Sequence, residues 1–338
     1  MARICIVPRV HGIGGMVSFQ HKLAAGLEAR GIDTCFCLDE TPYDAVLITG
    51  GTRDLPGLWR ARRRGVRLVQ RLDGINWIHR RRRTGLRHFI RAEYGNRVLA
   101  AIRIRFATHI VYQSEFVRGW WEDWYGPTPV PCSVIHNGVD LRAYSPATEV
   151  ATTDKYRLLV VEGSMGGGYE MGLDWAIRLA ELLAERHGFP MELMIVGRVS
   201  PKQQAALRTR SRVPLLWAGL VPREHIPELD RSAHLLFSAD LNTACPNAVI
   251  EALACGLPVV GFDTGALAEV VGGEAGHIVP YGGDPWKIDP PDLPALAAAA
   301  AEILPDQPCF RIAARARAVE AFSLETMVDR YLDVLLGT

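Results

Sequence analysis

Two doubly wound α/β domains are what this sequence predicts, and three observations predict them. Short β-branched runs alternate with stretches of helical spacing along the chain, the pattern of parallel strands covered by helices. The alternation starts twice with strand, glycine-rich loop and helix. The first start is ARICIVPRV, GIGG and VSFQHKLAAGLEARG; the second, from Tyr156, is YRLLVVEG, SMGGGYEMG and LDWAIRLAELLAERHG. At 338 residues the chain also exceeds what one core normally covers.

The first series takes its strands from ARICIVPRV, DTCFCL, YDAVLITG, VRLVQRL, THIVYQS and SVIHNGVDL, and Gly31 stops its first helix. SPATEVATTDKY (145–156) is polar and weakly patterned, and reads as a linker. The second series runs through YRLLVVEG, MELMIVG, VPLLWAG, AHLLFSA, GLPVVGF and AGHIVP. PPDLPALAAAAAEIL is an Ala-rich helix after a Pro-rich turn. SLETMVDRYLDVLL closes the chain as an amphipathic helix with Ser323 as candidate N-cap. The expected domains are therefore 1–150 and 151–320, with a last helix over 321–338. In such sheets ligands lie beyond the carboxyl ends of the strands, and a cleft between two such domains is the expected site.

Hydrophobic content of 49% and charge of 22% fit an ordinary globular protein. No apolar run reaches ~18 residues, so no transmembrane helix is expected. MARICIVPRV reads as a strand and lacks a signal-peptide layout. The seven cysteines are scattered without zinc spacing, Cys35 and Cys37 forming a lone CxC on a strand. They are expected to be buried thiols of a reducing cytoplasm.

Net charge is only +1 but unevenly spread: residues 1–150 hold 22 Lys+Arg against 13 Asp+Glu, and residues 151–338 hold 16 against 24. Residues 60–105 carry 15 arginines, with Arg80, Arg81, Arg82 and Arg83 in a row. Two readings stay open for this patch: a solvated Arg-rich helix, or contact with a phosphorylated or lipid-linked acceptor at the inner face of an anionic membrane. No nucleic-acid motif accompanies it, so nucleic acid is not an expected partner. Trp120, Trp121 and Trp124 in GWWEDWYG read as a packed cluster, a sugar platform or a membrane-interface group.

Further motifs carry chemistry. Gly14 and Gly15 permit close backbone approach where a helix begins; Gln20 and His21, next on that helix, read as surface residues. Asp73 and Asn76 follow a strand on its carboxyl side. Asp73 is a candidate to orient or deprotonate an acceptor hydroxyl; pairing with Arg71 or capping a helix is the competing reading. His79 is a weaker candidate, more at home on the surface. In NTACPNAVIEALACGLPVVGFDTG (242–265), Glu251 is a lone carboxylate in an apolar helical stretch.

The whole chain resembles glycosyltransferase family 4, of the GT-B architecture. The motifs come in the family's order: the GG loop, RLDG (71–74), SEFV (114–117), VIHNGVD (134–140), IVG (195–197) and, most specific, VIEALACGLPVVGFDTGALAEVV (249–271). The resemblance implies two Rossmann-like domains facing a central cleft, the acceptor on the first, the nucleotide sugar on the second, and a last helix crossing back. It implies metal-independent transfer of a sugar from a UDP- or GDP-linked donor with retention of anomeric configuration, and no cofactor besides that co-substrate. Glu251 then accepts hydrogen bonds from the ribose diol, two oxygens facing two O–H donors.

Donor contacts are implied for Gly14, Gly15, Arg198 and Val221. They are implied also for Cys245, Pro246, Asn247 and Ile250 around the TACPN segment. Catalytic contacts fall to Asp73, Asn242 and Thr243, acceptor contacts to Asn76 and His79.

The chain departs from the family twice. Thr243 stands where the family has a first glutamate, leaving that contact to Thr243, Asn242 or Asp240. Ser164 and Met171 stand where it has Arg and Lys. Electrostatic stabilisation of a leaving diphosphate is a large catalytic factor, so Arg198 and an anion nest from Gly163, Gly166, Gly167 and Gly168 are the expected substitutes. An inactive GT-B binding or scaffold protein is the alternative, and a donor-consuming epimerase or hydrolase a third reading.

Overall fold

All twelve strands read from the sequence form, in two parallel sheets. The computed structural model describes residues 2–12, 14–147, 154–164 and 170–337. Among these the chain divides into two units: Met1–Gly138 with Leu324–Thr338, and Val139–Ser323.

Unit 1 runs β1 (Arg3–Val7), α1 (Gly15–Glu28), β2 (Asp33–Cys35), β3 (Ala45–Ile48), α2 (Leu55–Arg63), β4 (Arg67–Leu72), α3 (Leu86–Arg105), β5 (His109–Tyr112), α4 (Glu115–Tyr125) and β6 (Cys132–Val134). Its strands pair in parallel in the order β2-β1-β3-β4-β5-β6. β3 is AVLI with every residue buried, as a strand covered on both faces requires. Helix starts follow cap chemistry: Asp54 accepts from Gly57 N at 2.8 Å before α2, and Ser114 from Val117 N at 3.1 Å before α4.

Unit 2 runs β7 (Tyr156–Ser164), α5 (Met171–His187), β8 (Met191–Arg198), α6 (Pro201–Arg210), β9 (Leu215–Gly219), α7 (Ile226–Ser232), β10 (Leu235–Phe237), α8 (Asn247–Ala254), β11 (Val259–Phe262), α9 (Leu267–Val271), β12 (Gly276–Val279), α10 (Leu293–Ile303) and α11 (Gln307–Ala321). The order is β12-β11-β10-β7-β8-β9, again all parallel.

The final helix, α12 (Leu324–Leu336), belongs to unit 1. Its apolar stripe, Met327, Val328, Tyr331 and Leu335, enters one core with Ile4, Phe19, Leu23, Leu27 and Leu47. Gly26 permits the approach: a Cβ there would lie 2.5 Å from a Val328 methyl. Arg30 of the loop after α1 pairs with Glu325 at 2.7 Å and Asp329 at 2.8 Å.

The chain enters unit 2 at Val139, ahead of the expected boundary at 150. Backbone carbonyls fix this: Arg315 donates to Leu141 O and Tyr144 O, and Arg231 to Ser145 O. Residues 148–153 of the expected linker lie outside the described residues.

The cysteines also differ from expectation. None is in a disulfide, but Cys37, Cys132 and Cys309 are exposed. β2 ends at Cys35, so Cys37 falls on the following loop.

Candidate functional site

Counted within unit 2, the strand order is 3-2-1-4-5-6. Winding reverses between β7 and β10, so a crevice is expected at their carboxyl ends. β7 ends in Glu162, Gly163 and Ser164, and the chain leaving β10 carries Asp240, Leu241, Asn242 and Thr243. Two half-buried carboxyls thus meet here. Loss of solvent raises Glu162, and the nearby Asp240 charge raises it further. Loss of solvent raises Asp240 as well. Both are pushed far above the usual carboxylate range, so the pair carries less charge than the sequence suggests.

The segment after β10 is constrained. Asn242 is a non-glycine residue at φ 55°, a conformation that only surrounding structure maintains. Asn242 and Thr243 are 4% and 8% exposed. Gly265 presses on them: a Cβ there would lie 2.4 Å from Thr243 N and 2.6 Å from Asn242 C. Ala266 N donates to Thr243 O at 2.8 Å and closes the clamp. Asn242 Nδ2 and Asp240 Oδ1 are shut from solvent with no hydrogen-bond partner among the described residues. Orphaned polar atoms of this kind call for an explanation such as a ligand.

Arg198 ends β8, opposite Ser164 in register, and is exposed. It stands at the carboxyl edge where the sequence reading put it. Met171 opens α5 and Ser164 closes β7, so neither expected cation position carries a cation. Gly166, Gly167 and Gly168 of the expected anion nest lie outside the described residues; Gly163 is exposed.

From Thr243 the chain passes Cys245, 7% exposed, to Pro246, which precedes α8 without a side-chain cap. Asn247 opens the helix. Its first-turn N–H groups are the kind that anions favour. Glu251 is the fifth of eight residues, past the first turn, where a helix dipole would favour a carboxylate. It is 9% exposed. Its charge bears on Tyr144 and Asp230: burial first, then Glu251, holds the Asp230 carboxyl well above its ordinary range, and the same two causes raise the Tyr144 hydroxyl. Tyr144 in turn donates to Arg223 O at 3.3 Å, just past the half-buried Val221. Ile250 differs from its expected donor role. Its side chain is 1% exposed, and its N–H is spent on Pro246 O at 3.2 Å. It is a core residue because an eight-residue helix buries its apolar face.

In unit 1 the winding reverses between β1 and β3. Gln20 bridges that switch point. Its Nε2 donates to Pro8 O at 2.6 Å and Thr49 Oγ1 at 2.7 Å, and its Oε1 accepts from Val10 N at 3.1 Å. The surface reading of Gln20 is thereby corrected: it is 4% exposed because α1 faces the loops after both strands. His21 is exposed as read, and so are Gly14, the N-cap of α1 at φ 142°, and Gly15.

The RLDG and VIHNGVD motifs meet in a polar chain the sequence reading missed. Arg71 Nη2 donates to Asn137 Oδ1 at 2.8 Å, Asn137 Nδ2 to Gln113 Oε1 at 3.3 Å, and Arg71 lies 3.8 Å over the Phe19 ring. Spacing gave no hint of it, since 66 residues separate the first pair. Arg71 therefore serves Asn137, not an ion pair with Asp73. Asp73 instead accepts Trp121 Nε1 on its backbone carbonyl at 2.8 Å, and burial raises its carboxyl against the pull of Arg71.

Two acceptor candidates are engaged elsewhere. Asn76 donates through N and Nδ2 to Asn96 Oδ1, both at 3.1 Å, and Asn96 returns a bond to Asn76 O at 2.9 Å. His79 is not on the surface: its ring is closed to solvent and bonded to Glu93 at 2.8 Å. Arg80 forks onto the same carboxylate at 2.5 and 2.9 Å. Arg80 chiefly, then His79, pull Glu93 down to about 2. The tryptophans pack: Trp120 lies 6.0 Å from Trp124 edge-on, and Trp121 stacks on Tyr125 at 5.3 Å.

Among the described residues, no cluster of three or more His, Cys, Asp or Glu is arranged to hold a metal. No described helix is long and apolar enough to cross a membrane.

Residues 156–306 match the family model described as "Glycosyl transferases group 1". A curated relative from Arabidopsis thaliana, one of the subunits of phosphatidylinositol N-acetylglucosaminyltransferase, is 26% identical over 152 residues, covering 43% of this chain. The chain spans only about a third (32%) of that relative. Among solved structures, sucrose-phosphate synthase of Thermosynechococcus elongatus superposes with a TM-score of 0.76 at 16% identity over 100% of both chains. WaaG, a glycosyltransferase involved in lipopolysaccharide biosynthesis, gives 0.72 at 16% identity over 99% of this chain and 100% of its own. Anabaena Alr3699/HepE, solved in complex with UDP-glucose, gives 0.69 at 16% over 100% of both.

Proposed function

From a chain of GT-B fold whose residues 156–306 match the group 1 glycosyltransferase model, we propose a glycosyltransferase that uses a nucleoside-diphosphate sugar. The observation that carries this reading is the pair of orphaned atoms, Asp240 Oδ1 and Asn242 Nδ2, on the segment that leaves the carboxyl end of β10 and runs to the uncapped start of α8. In this reading the bond from the anomeric carbon to the diphosphate breaks, a bond to the acceptor oxygen forms, and the nucleoside diphosphate leaves. The acceptor proton passes to a base or to the leaving phosphate. The Alr3699/HepE complexes with UDP and UDP-glucose support a uridine diphosphate donor.

Each role follows from chemistry already described. Glu251 accepts from the ribose diol, and the first turn of α8 meets the diphosphate with its N–H groups. Arg198 compensates charge on the leaving group. Glu162 and Asp240, both raised by burial so that the pair retains a proton near neutral pH, donate to diphosphate or sugar oxygens where two carboxylates would repel them. Retention of configuration without a metal is part of the proposal and rests on the family resemblance. The acceptor side falls to unit 1, with Asp73 as its catalytic candidate, and Gly14 and Gly15 remain donor-contact candidates.

One observation favours a second reading, a GT-B binding protein without turnover: Ser164 and Met171 leave the expected cation positions uncharged. Calorimetric titration with UDP, GDP and ADP separates the readings when paired with donor turnover. Binding of one nucleotide with consumption of its sugar derivative supports the enzyme. Binding without consumption of any donor supports the second reading. Binding of none removes the enzyme and leaves the scaffold reading.

A further inference from the structure

The segment from Arg80 to Arg97 holds seven arginines and one acid, Glu93. Glu93 is already taken by Arg80 and His79. Arg81, Arg83, Arg87, Arg91 and Arg97 are exposed and make no ion pair among the described residues. Such a run of uncompensated cations seeks an anionic surface.

Charge is half of the observation. α3 also turns large apolar side chains outward: Leu86 is 75% exposed, Ile90 59%, Tyr94 56% and Phe89 41%. Leu86, Ile90 and Tyr94 are four residues apart and form one line along the helix. Arg87 and Arg91 form the adjacent line. Scattered exposed leucines need no explanation, but a contiguous apolar stripe marks an interaction surface. A cavity of about 470 Å³ opens beside it, between the Arg80–Arg83 turn and Leu86 and Phe89. The His79–Glu93–Arg80 triad holds that turn in place.

We infer that this face of unit 1 docks on an anionic phospholipid bilayer. Leu86, Phe89 and Ile90 enter the acyl boundary, and the guanidinium groups of Arg81, Arg83, Arg87 and Arg91 bind lipid phosphates, one phosphodiester headgroup filling the cavity. An in-plane helix with cations beside an apolar stripe is the geometry of interfacial binding. A nucleic acid would use the arginines alone and leave Leu86 and Ile90 in water. The inference stands on unit 1 and does not depend on the donor-site reading.

The test is sedimentation of the full chain with phosphatidylcholine vesicles, with and without phosphatidylglycerol, at low and high salt. Binding only to the anionic vesicles, weakened by salt, is the expected result. Arg81→Glu with Arg83→Glu and Arg87→Glu is expected to lower partitioning more than ~100-fold. Leu86→Ser with Ile90→Ser is expected to lower it about 10-fold or more at an unchanged thermal midpoint. Absence of binding to anionic vesicles overturns the inference. So does binding that ignores Leu86 and Ile90, or that glycerol phosphate fully displaces, which marks a free-phosphate site. Retention of a short RNA duplex equally by wild type and by the Leu86/Ile90 variant, without vesicle binding, assigns the face to nucleic acid instead.

Discussion

Glu251 concentrates the donor reading in one side chain. Truncating it removes one or two charge-assisted hydrogen bonds of roughly 1.5–3 kcal/mol each. Glu251→Ala is therefore expected to weaken nucleotide affinity by about 10- to 100-fold in calorimetry if one bond is lost, and by more than about 100-fold if both are; affinity unchanged within two-fold would sink the role. Glu162 offers a second residue-level test. Its pKa is raised in the folded state by burial and by Asp240. A raised acid binds more protons folded than unfolded, so its contribution is fully present below the ordinary carboxylate pKa of about 4.3 and is lost as pH rises through the folded value. Melting temperature is expected to fall as pH climbs from about 4 through neutrality, and Glu162→Gln is expected to flatten that decline. An equal slope in the variant would refute the shift. Gly265 tests the clamp. At φ 64°, with Thr243 N 2.4 Å from an added Cβ, Gly265→Ala is expected to cost about 1–3 kcal/mol, read as a lower unfolding midpoint.

At the scale of elements, strands were legible because alternation and β-branched runs are local signals. β3, β4, β5, β9, β10 and β11 all fall within the runs that predicted them. Side-chain partners were not legible. Gln20 sits at a helical position next to exposed His21, and only the loops after β1 and β3 make it a buried bridge. Gln20→Leu keeps the volume but strands Pro8 O, Val10 N and Thr49 without partners. A loss of about 1–3 kcal/mol is expected, with faster amide exchange at residues 9–12. Exchange unchanged there would show that the bridge does not hold the loop. His79 was misplaced for the same reason, and the Asn76 partner was hidden from the sequence: Glu93 and Asn96, with which they bond, lie on α3, 14 and 20 residues along the chain.

At the scale of the molecule, the notable feature is that unit 1 is built from both ends of the chain. Val328, Tyr331 and Leu335 of α12 are 0–1% exposed within its core. Burying each such side chain contributes roughly 1.5–3 kcal/mol. A chain ending at Ser323 is thus expected to lose protection from proteolysis and exchange throughout 1–138 while 139–323 keeps its own. Retained protection in 1–138 would show that α12 is dispensable.

The sequence by itself determined the alternation of strands and helices, the two series, the amphipathic last helix and the Glu251 motif, because periodicity, turn residues and a specific run of residues are encoded locally. Tertiary structure alone decided the winding reversals at β1/β3 and β7/β10, the Arg71–Asn137–Gln113 chain and the orphaned atoms of Asp240 and Asn242. It also decided which faces of α1 and α3 meet water. The physical reason is common to all of them. Burial and partnership depend on which distant segments the parallel crossovers bring together, and a carboxyl's charge depends on the solvent those segments exclude.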